Sequence, residues 1–219
     1  MKKTILFFFV LCALIVNAQE DNSIDFCTEI KKVITDSTSL YFYPLLLDKV
    51  KNNPESIDVM DCYYLYYGQI FQSNYKPLSF IANPERGDFD KASVNGRCKK
   101  VIQLGETILE RNPVELTVLL HISVCIDKQI KYTDKDYFSQ RFRNLLSAIF
   151  MTGNGTSKEK AIKIVNMEDD YILKGIVGFL GGEESLMFDQ NRAYSVWSKG
   201  NNKLYFEDVM NIENIKVPQ

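Results

Sequence analysis

The stretch Asp61–Phe71, DCYYLYYGQIF, constrains the fold more than any other part of the sequence. Its apolar and aromatic residues leave no wide polar face, so it predicts a helix over 57–72 that packs against neighbours on two sides. A helical wheel puts Tyr67 on the packed face of this helix and Leu65 on the opposite side. Gly68 lowers helix stability by about 1 kcal/mol relative to alanine, which indicates that another helix approaches closely there.

The first 18 residues have the pattern of a secretory signal peptide. Lys2 and Lys3 form a basic start, Ile5–Val16 is apolar, and Val16-Asn17-Ala18 is a small-residue cleavage site. The apolar run is too short to span a bilayer comfortably, although a retained anchor is the alternative. We therefore predict cleavage between Ala18 and Gln19, export to the periplasm or the extracellular space, and no membrane span after cleavage.

The composition of the mature chain indicates a folded, mildly acidic protein. Removing the 18-residue leader with its two lysines leaves 201 residues, in which 24 basic residues face 28 acidic ones, for a net charge of −4. A chain of this charge without a basic cluster lacks the electrostatic footprint of a nucleic-acid-binding protein. The hydrophobic fraction of 46% is ample for a core and excludes a disordered chain.

A change of pattern after Gly153 divides the chain. Up to residue 152, apolar residues recur at helical spacing between polar turns, whereas alternation and glycine-rich breaks follow. We predict an α+β protein with a signal peptide (1–18), an N-terminal layer of antiparallel helical hairpins (19–152) and a small β-rich module packed on the helices (153–219). The candidate strands are Ala161–Val165, Ser185–Phe188, Tyr194–Trp197 and Lys203–Phe206, with Tyr171–Gly178 as strand or helix and a hairpin loop at Ser198–Asn202.

Two blocks resemble the tetratricopeptide pattern of aromatic and apolar residues around a small residue. The first is Tyr64-x-x-Tyr67-Gly68-x-x-Phe71, and the second is Leu119-x-x-Ile122-Ser123-x-x-Ile126, which follows a turn at Asn112-Pro113. Their small residues lie 55 positions apart, which exceeds the 34-residue repeat and predicts an insertion around 76–96. We therefore predict a degenerate layer of tetratricopeptide-like hairpins instead of a regular array.

The mature chain has four cysteines, Cys27, Cys62, Cys98 and Cys125, and no C-x-x-C pair, so we predict no zinc site. If Asn112-Pro113 is the turn of a helical hairpin, Cys98 and Cys125 lie at the same level of the two helices. The pair is therefore a possible disulfide or two adjacent thiols, and we expect proximity with both thiols free and buried.

Three blocks together resemble an uncharacterised family of secreted Bacteroidetes proteins, domain-of-unknown-function family 4919. They are Leu65-Tyr66-Tyr67-Gly68, the glycine-rich block Gly153-Asn154-Gly155-Thr156-Ser157, and Tyr205-Phe206 near the C-terminus. The resemblance covers nearly all of the mature chain. Because the family has no assigned activity, the resemblance implies a compartment and a lineage but no mechanism.

The residues that could carry chemistry are few, and each has a structural interpretation. His121 is the only histidine, and the sequence names no nucleophile or carboxylate for it to act with. Gly153–Lys158, GNGTSK, lacks the ending of a phosphate-binding loop, and Thr156 with Glu159 fits a capping box. The acidic pairs Asp169-Asp170 and Glu183-Glu184 are predicted to be solvated loop charges. Asp36-Ser37-Thr38 is either a helix C-terminal turn or a site of O-glycosylation.

These observations favour a non-enzymatic binding or scaffold protein whose partner is a protein or peptide. We predict no catalytic residues, cofactor or metal, and a concave helical face that binds the partner. The candidate binding residues are Gln69, Gln72, Thr117, Leu120, Val124 and Asp127. The alternatives are a hydrolase that uses carboxylates of the C-terminal module and a structural surface protein that self-associates.

Overall fold

The computed structural model describes residues 22–73, 75, 85–128, 135–189 and 192–209. Its helical part contains α1 (Asn22–Thr35), α2 (Tyr43–Asn52), α3 (Val59–Gly68), α4 (Arg86–Val94), α5 (Cys98–Leu109), α6 (Leu116–Asp127) and α7 (Tyr137–Phe150). Its C-terminal part contains β1 (Ile162–Ile164), α8 (Asp169–Ile176), β2 (Glu183–Asp189), β3 (Arg192–Lys199) and β4 (Asn202–Asp208). The predicted α+β class is confirmed. None of the described helices has the length and apolar character needed to cross a membrane.

Helix α3 is the central helix of the N-terminal layer, as its sequence predicts. It packs against α1, α2 and α7. Asp58 and Asp61 form a capping box at its start, in which each carboxylate accepts the other residue's backbone N–H at 2.9 Å. Helix α3 ends at Gly68, and a 3₁₀ turn over Gln69–Phe71 follows. The predicted position of this helix between neighbours is confirmed.

The wheel was right about Tyr67 and wrong about Leu65. Leu65, expected on the free side, is fully buried like Tyr67, whereas Tyr64 is only half-buried and stacks on Tyr41 with ring centroids 4.4 Å apart. A tyrosine combines an apolar ring with a polar hydroxyl and therefore suits the edge of a core. Counting aromatic residues consequently does not identify the deepest face of such a helix.

Gly68 lies at a close approach between helices. A Cβ atom at this position would lie 2.9 Å from a ring carbon of Tyr43 on α2 and 3.2 Å from Cγ2 of Ile34 on α1. Both side chains are buried. The predicted close packing at Gly68 is confirmed.

Helices α5 and α6 form the predicted hairpin around Asn112-Pro113. They pack directly on each other. Cys98 and Cys125 are joined in a disulfide with their Cα atoms 5.1 Å apart, so the expectation of free thiols at these positions is wrong. Cys27 and Cys62 are free cysteines, half-buried and buried respectively. The disulfide thus links the two helices of the hairpin.

The four strands form one mixed sheet in the order β1-β4-β3-β2. Strand β1 pairs with β4 in parallel, and the other two pairings are antiparallel. The predicted hairpin loop joins β3 and β4, where Gly200 adopts a φ of +59°. The segment given as strand or helix is α8. One face of the sheet shares a core with the helices, through Trp197, Leu204 and Phe206 among others.

Candidate functional site

A groove with a cavity of about 630 Å³ lies between α6 and α8, where the helical part meets the C-terminal part. We call it the α6–α8 groove. It is lined by Arg86, Thr117, Leu120, His121, Glu168, Tyr171, Ile172, Gly175 and Ile176. Its size is within the range of about 300–1,000 Å³ that is usual for ligand sites.

The α8 side of the groove is apolar and open. Tyr171 and Ile176 are 67% and 42% exposed, although isoleucine is a residue type that normally packs in a core. Gly175 has open space where a Cβ atom would lie, so the wall is recessed at this point. The Tyr171 ring contacts Trp197 edge to face, with ring centroids 6.1 Å apart. This wall therefore offers apolar contacts to an incoming group.

Charged groups gather at one end of the groove around Arg86. Its guanidinium donates to Glu115 at 3.0 Å, to Glu168 at 3.4 Å and to Asp90 at 3.0 Å. Glu115 is buried behind Arg86 and accepts a further hydrogen bond from Asn112 at 2.8 Å. Burial raises the pKa of both Glu115 and Glu168, although the positive charge of Arg86 acts in the opposite direction.

His121 lines the groove next to this cluster. Its ring contacts Phe89 edge to face, with centroids 5.9 Å apart. Burial lowers the pKa of His121, which favours the neutral imidazole. His121 makes no hydrogen bond to another described residue. Its place in the structure is that of a half-buried, neutral ring beside Phe89.

The first acidic pair anchors α8 and is not solvated, which contradicts the sequence prediction. Asp169 is buried and accepts a hydrogen bond from the Tyr66 hydroxyl at 2.6 Å. Asp170 is also buried and accepts hydrogen bonds from Trp197 Nε1 at 2.9 Å and from the Ser195 hydroxyl. Burial raises the pKa of both carboxyl groups. The two aspartates therefore fix one wall of the groove to α3 and to β3.

The second acidic pair is on the surface, as predicted. Glu183 and Glu184 are exposed residues at the start of β2. A carboxylate oxygen of Glu184 lies 3.1 Å from the oxygen of the Ser195 hydroxyl, whose single proton is donated to Asp170. Neither residue lines the α6–α8 groove.

The six candidate binding residues do not form one surface. Thr117 and Leu120 line the groove, and Val124 and Asp127 are exposed further along α6. Gln69 is buried instead of free, because its side-chain amide turns inward and donates to the Tyr66 carbonyl at 2.9 Å. Gln72 is half-buried, and its amide donates to the Gly68 carbonyl at 3.2 Å.

The glycine-rich block is a turn that supports the sheet. Gly155 adopts a φ of +71°, and its carbonyl accepts the backbone N–H of Tyr205 at 2.9 Å. The predicted capping role of Thr156 is wrong: its hydroxyl donates to Asn154 at 2.7 Å, and Ser157 occupies the N-cap position of the 3₁₀ turn Lys158–Lys160. Within the described residues, no group of three or more His, Cys, Asp or Glu side chains could hold a metal ion.

Sequence reasoning missed Arg86 and Glu168 as groove residues, Glu115 as the buried partner behind Arg86, and also the apolar α8 wall. Arg86 and Glu168 are 82 positions apart and Arg86 and Glu115 are 29 apart, so no local spacing connects them. The amphipathic spacing of Ile172 and Ile176 was a usable signal, but it also fitted a strand.

A comparison with curated proteins and a comparison with solved structures give no match. A family model does match residues 28–215, which is most of the chain and includes every residue of the groove. The chain therefore belongs to the family described as Domain of unknown function (DUF4919).

Proposed function

We propose that the chain is an exported, non-catalytic binding protein that holds an apolar segment of a protein or peptide partner in the α6–α8 groove. The observation that carries the proposal is the make-up of this groove, in which apolar side chains of α6 and α8 lie open and the charged groups are gathered at one end. Exposed apolar surface with a polar rim is typical of interaction sites. An amphipathic helix or an apolar loop would bury Tyr171 and Ile176 on binding.

The state of the charged groups supports binding over catalysis. Glu115 and Glu168 both accept hydrogen bonds from Arg86, so a substrate would have to compete with that guanidinium for either carboxylate. His121 has its ring against Phe89 and makes no hydrogen bond to another described residue, so no described partner orients it as a base. These groups are suited to orient a polar end of the partner at the Arg86 end of the groove.

Two observations support export. The first is the signal-peptide pattern of residues 1–18. The second is the Cys98–Cys125 disulfide, because disulfides form and persist in oxidising compartments such as the periplasm and the extracellular space. The intact mass of protein recovered from its own host tests this part of the proposal. A mass that begins at Gln19 is expected, whereas a chain that still carries Lys2 would contradict export with cleavage.

A hydrolase is the second candidate function, and one observation favours it. Burial raises the pKa of Glu168, which lines the groove, and a carboxyl group with a raised pKa is the usual general acid of such enzymes. Catalysis would require the entering substrate to release Glu168 from Arg86. A hydrolytic activity that disappears in Glu168→Gln would favour this function over simple binding.

Site-specific crosslinking tests the binding proposal. A photo-reactive amino acid replaces Tyr171 in the groove, and a matched variant carries it at Leu40, which is 86% exposed in the turn before α2. Crosslinking in envelope extract should give a discrete partner band for Tyr171 only, and Leu120→Arg should abolish that band. Equal bands from both positions, or a band that persists in Leu120→Arg, would contradict a binding site in this groove.

A further inference from the structure

Strand β2 is an edge strand of the sheet, and no described strand pairs with its outer side. It is seven residues long, and it carries two large exposed apolar side chains, Leu186 (57% exposed) and Phe188 (77% exposed). A strand edge of this kind is a template for pairing with a further strand, and proteins usually shorten, charge or cover such an edge.

The register of the sheet shows which backbone groups face outward. Lys199 and Asn202 close the two-residue turn between β3 and β4, so they exchange hydrogen bonds with each other. Alternation along β3 then makes Ser198, Val196 and Tyr194 bond to β2, where their partners are Glu183, Ser185 and Met187. The intervening residues Glu184, Leu186 and Phe188 therefore direct their N–H and C=O groups to the free edge.

The two exposed apolar side chains continue the core-facing side of the sheet. Leu186 is opposite Ser195, and Ser195 is opposite Phe206, which is fully buried in the shared core. Residues directly opposite each other in a sheet share a face, so Leu186 and Phe188 project from the side that the helices cover elsewhere. At β2 this apolar side is left open.

We propose that β2 pairs antiparallel with β2 of a second copy of this chain, about a two-fold axis at Met187. In this register Leu186 of each copy is opposite Phe188 of the other, and both pairs exchange backbone hydrogen bonds. The four apolar side chains then cover one another across the joint between the two sheets. Ser185 is opposite Asp189, whose carboxylate is paired with Lys158 in its own chain.

The charges on β2 select this register from its neighbours. A two-fold axis at Leu186 would place Glu183 opposite Asp189, and like charges directly opposite each other destabilise a sheet. An axis at Ser185 would place Glu184 opposite Leu186 and leave Phe188 uncovered. With the axis at Met187, Glu183 and Glu184 lie beyond the paired residues and remain in solvent.

Sedimentation equilibrium of the mature protein tests the proposal. We expect a monomer–dimer equilibrium at concentrations up to about 100 μM, and Leu186→Lys should weaken dimerisation at least about tenfold. Leu180→Lys is the matched control, because Leu180 is 67% exposed and lies before β2. A wild-type protein that stays monomeric over this range, or equal weakening by the two substitutions, would overturn the proposal.

Hydrogen exchange distinguishes this dimer from one formed through another surface or from capture of a different strand. The amides of Leu186 and Phe188 face outward, so they should exchange quickly in dilute protein and at least about tenfold more slowly in the dimer. A dimer in which these two amides stay unprotected would mean that β2 is not the interface. Protection that appears only after another protein is added would assign the edge to that protein instead of to a second copy.

Discussion

Removal of the Cys98–Cys125 disulfide should lower the free energy of unfolding by about 4 kcal/mol. The two cysteines are 27 positions apart, so the bond closes a loop of 28 residues in the unfolded chain. The loop-closure relation gives an entropy loss of about 12 cal/mol/K, which corresponds to about 3.6 kcal/mol at 25 °C. Truncating two nearly buried side chains in Cys98→Ala/Cys125→Ala adds up to about 1 kcal/mol.

Urea denaturation of the wild-type protein and the double variant measures this difference. The variant should have a lower midpoint and a slightly steeper dependence on urea, because its unfolded state is no longer cross-linked and exposes more surface. Cys62→Ala is the control, since it truncates a fully buried free cysteine without opening a loop. If the double variant loses no more stability than about twice the loss in Cys62→Ala, the disulfide does not restrict the unfolded chain and the reasoning is refuted.

Four further substitutions test the packing of α3 and the anchoring of α8. Leu65→Asp should lower the free energy of unfolding by about 4 kcal/mol or more, because Leu65 is fully buried. Tyr64→Asp should lower it by about half as much, because Tyr64 is only half-buried. Equal thermal melts of the two variants would contradict this order. Gly68→Ala should destabilise the protein by about 1 kcal/mol in urea melts, because the new Cβ would lie 2.9 Å from the buried Tyr43 ring. This loss should exceed the gain from the higher helix propensity of alanine. A stabilised variant would show that the ring moves freely. Burial raises the pKa of Asp169 above 3.8, so between the unfolded-state pKa and the raised pKa the folded state binds more protons, and stability falls as the pH rises through this interval. Asp169→Asn removes this dependence and should gain stability relative to wild type as the pH of the melts rises above about 4, and a constant difference would show that Asp169 does not titrate over the measured range.

Local patterns predicted the elements of the fold because each pattern acts over a few residues. The Asn112-Pro113 turn, flanked by two amphipathic runs, was sufficient to place Cys98 beside Cys125. Alternation and turn residues similarly predicted the strands and the hairpin at Gly200. Gly96, with a φ of +62°, separates α4 from α5. Tertiary contacts decided only where such a pattern begins or ends.

The groove was not predictable in the same way because its residues come from three separate parts of the chain. Arg86 follows a stretch without helical pattern, Glu115 follows a turn, and Glu168 precedes a short helix. Each of these charged residues in isolation is typical of a solvated surface. Only the tertiary packing brings Glu115 and Glu168 to Arg86, where Glu115 is buried and Glu168 is half-buried. The chemistry of the site is therefore a property of the tertiary fold.

The same helix that constrains the fold also positions the groove. Tyr66 of α3 is fully buried, and its hydroxyl accepts the Val165 backbone N–H at 3.2 Å while it donates to Asp169. Asp169 and Asp170 begin α8, so one hydroxyl in the helical core sets the end of the helix that supplies the groove wall. A carboxylate that is buried and hydrogen-bonded holds its position more strictly than an exposed one, because leaving one of its partners unpaired costs about 1–3 kcal/mol. The aromatic run in the sequence therefore has two consequences, a packed centre for the N-terminal layer and a fixed anchor for α8, and the second follows from tyrosine hydroxyls that a phenylalanine-rich helix would lack.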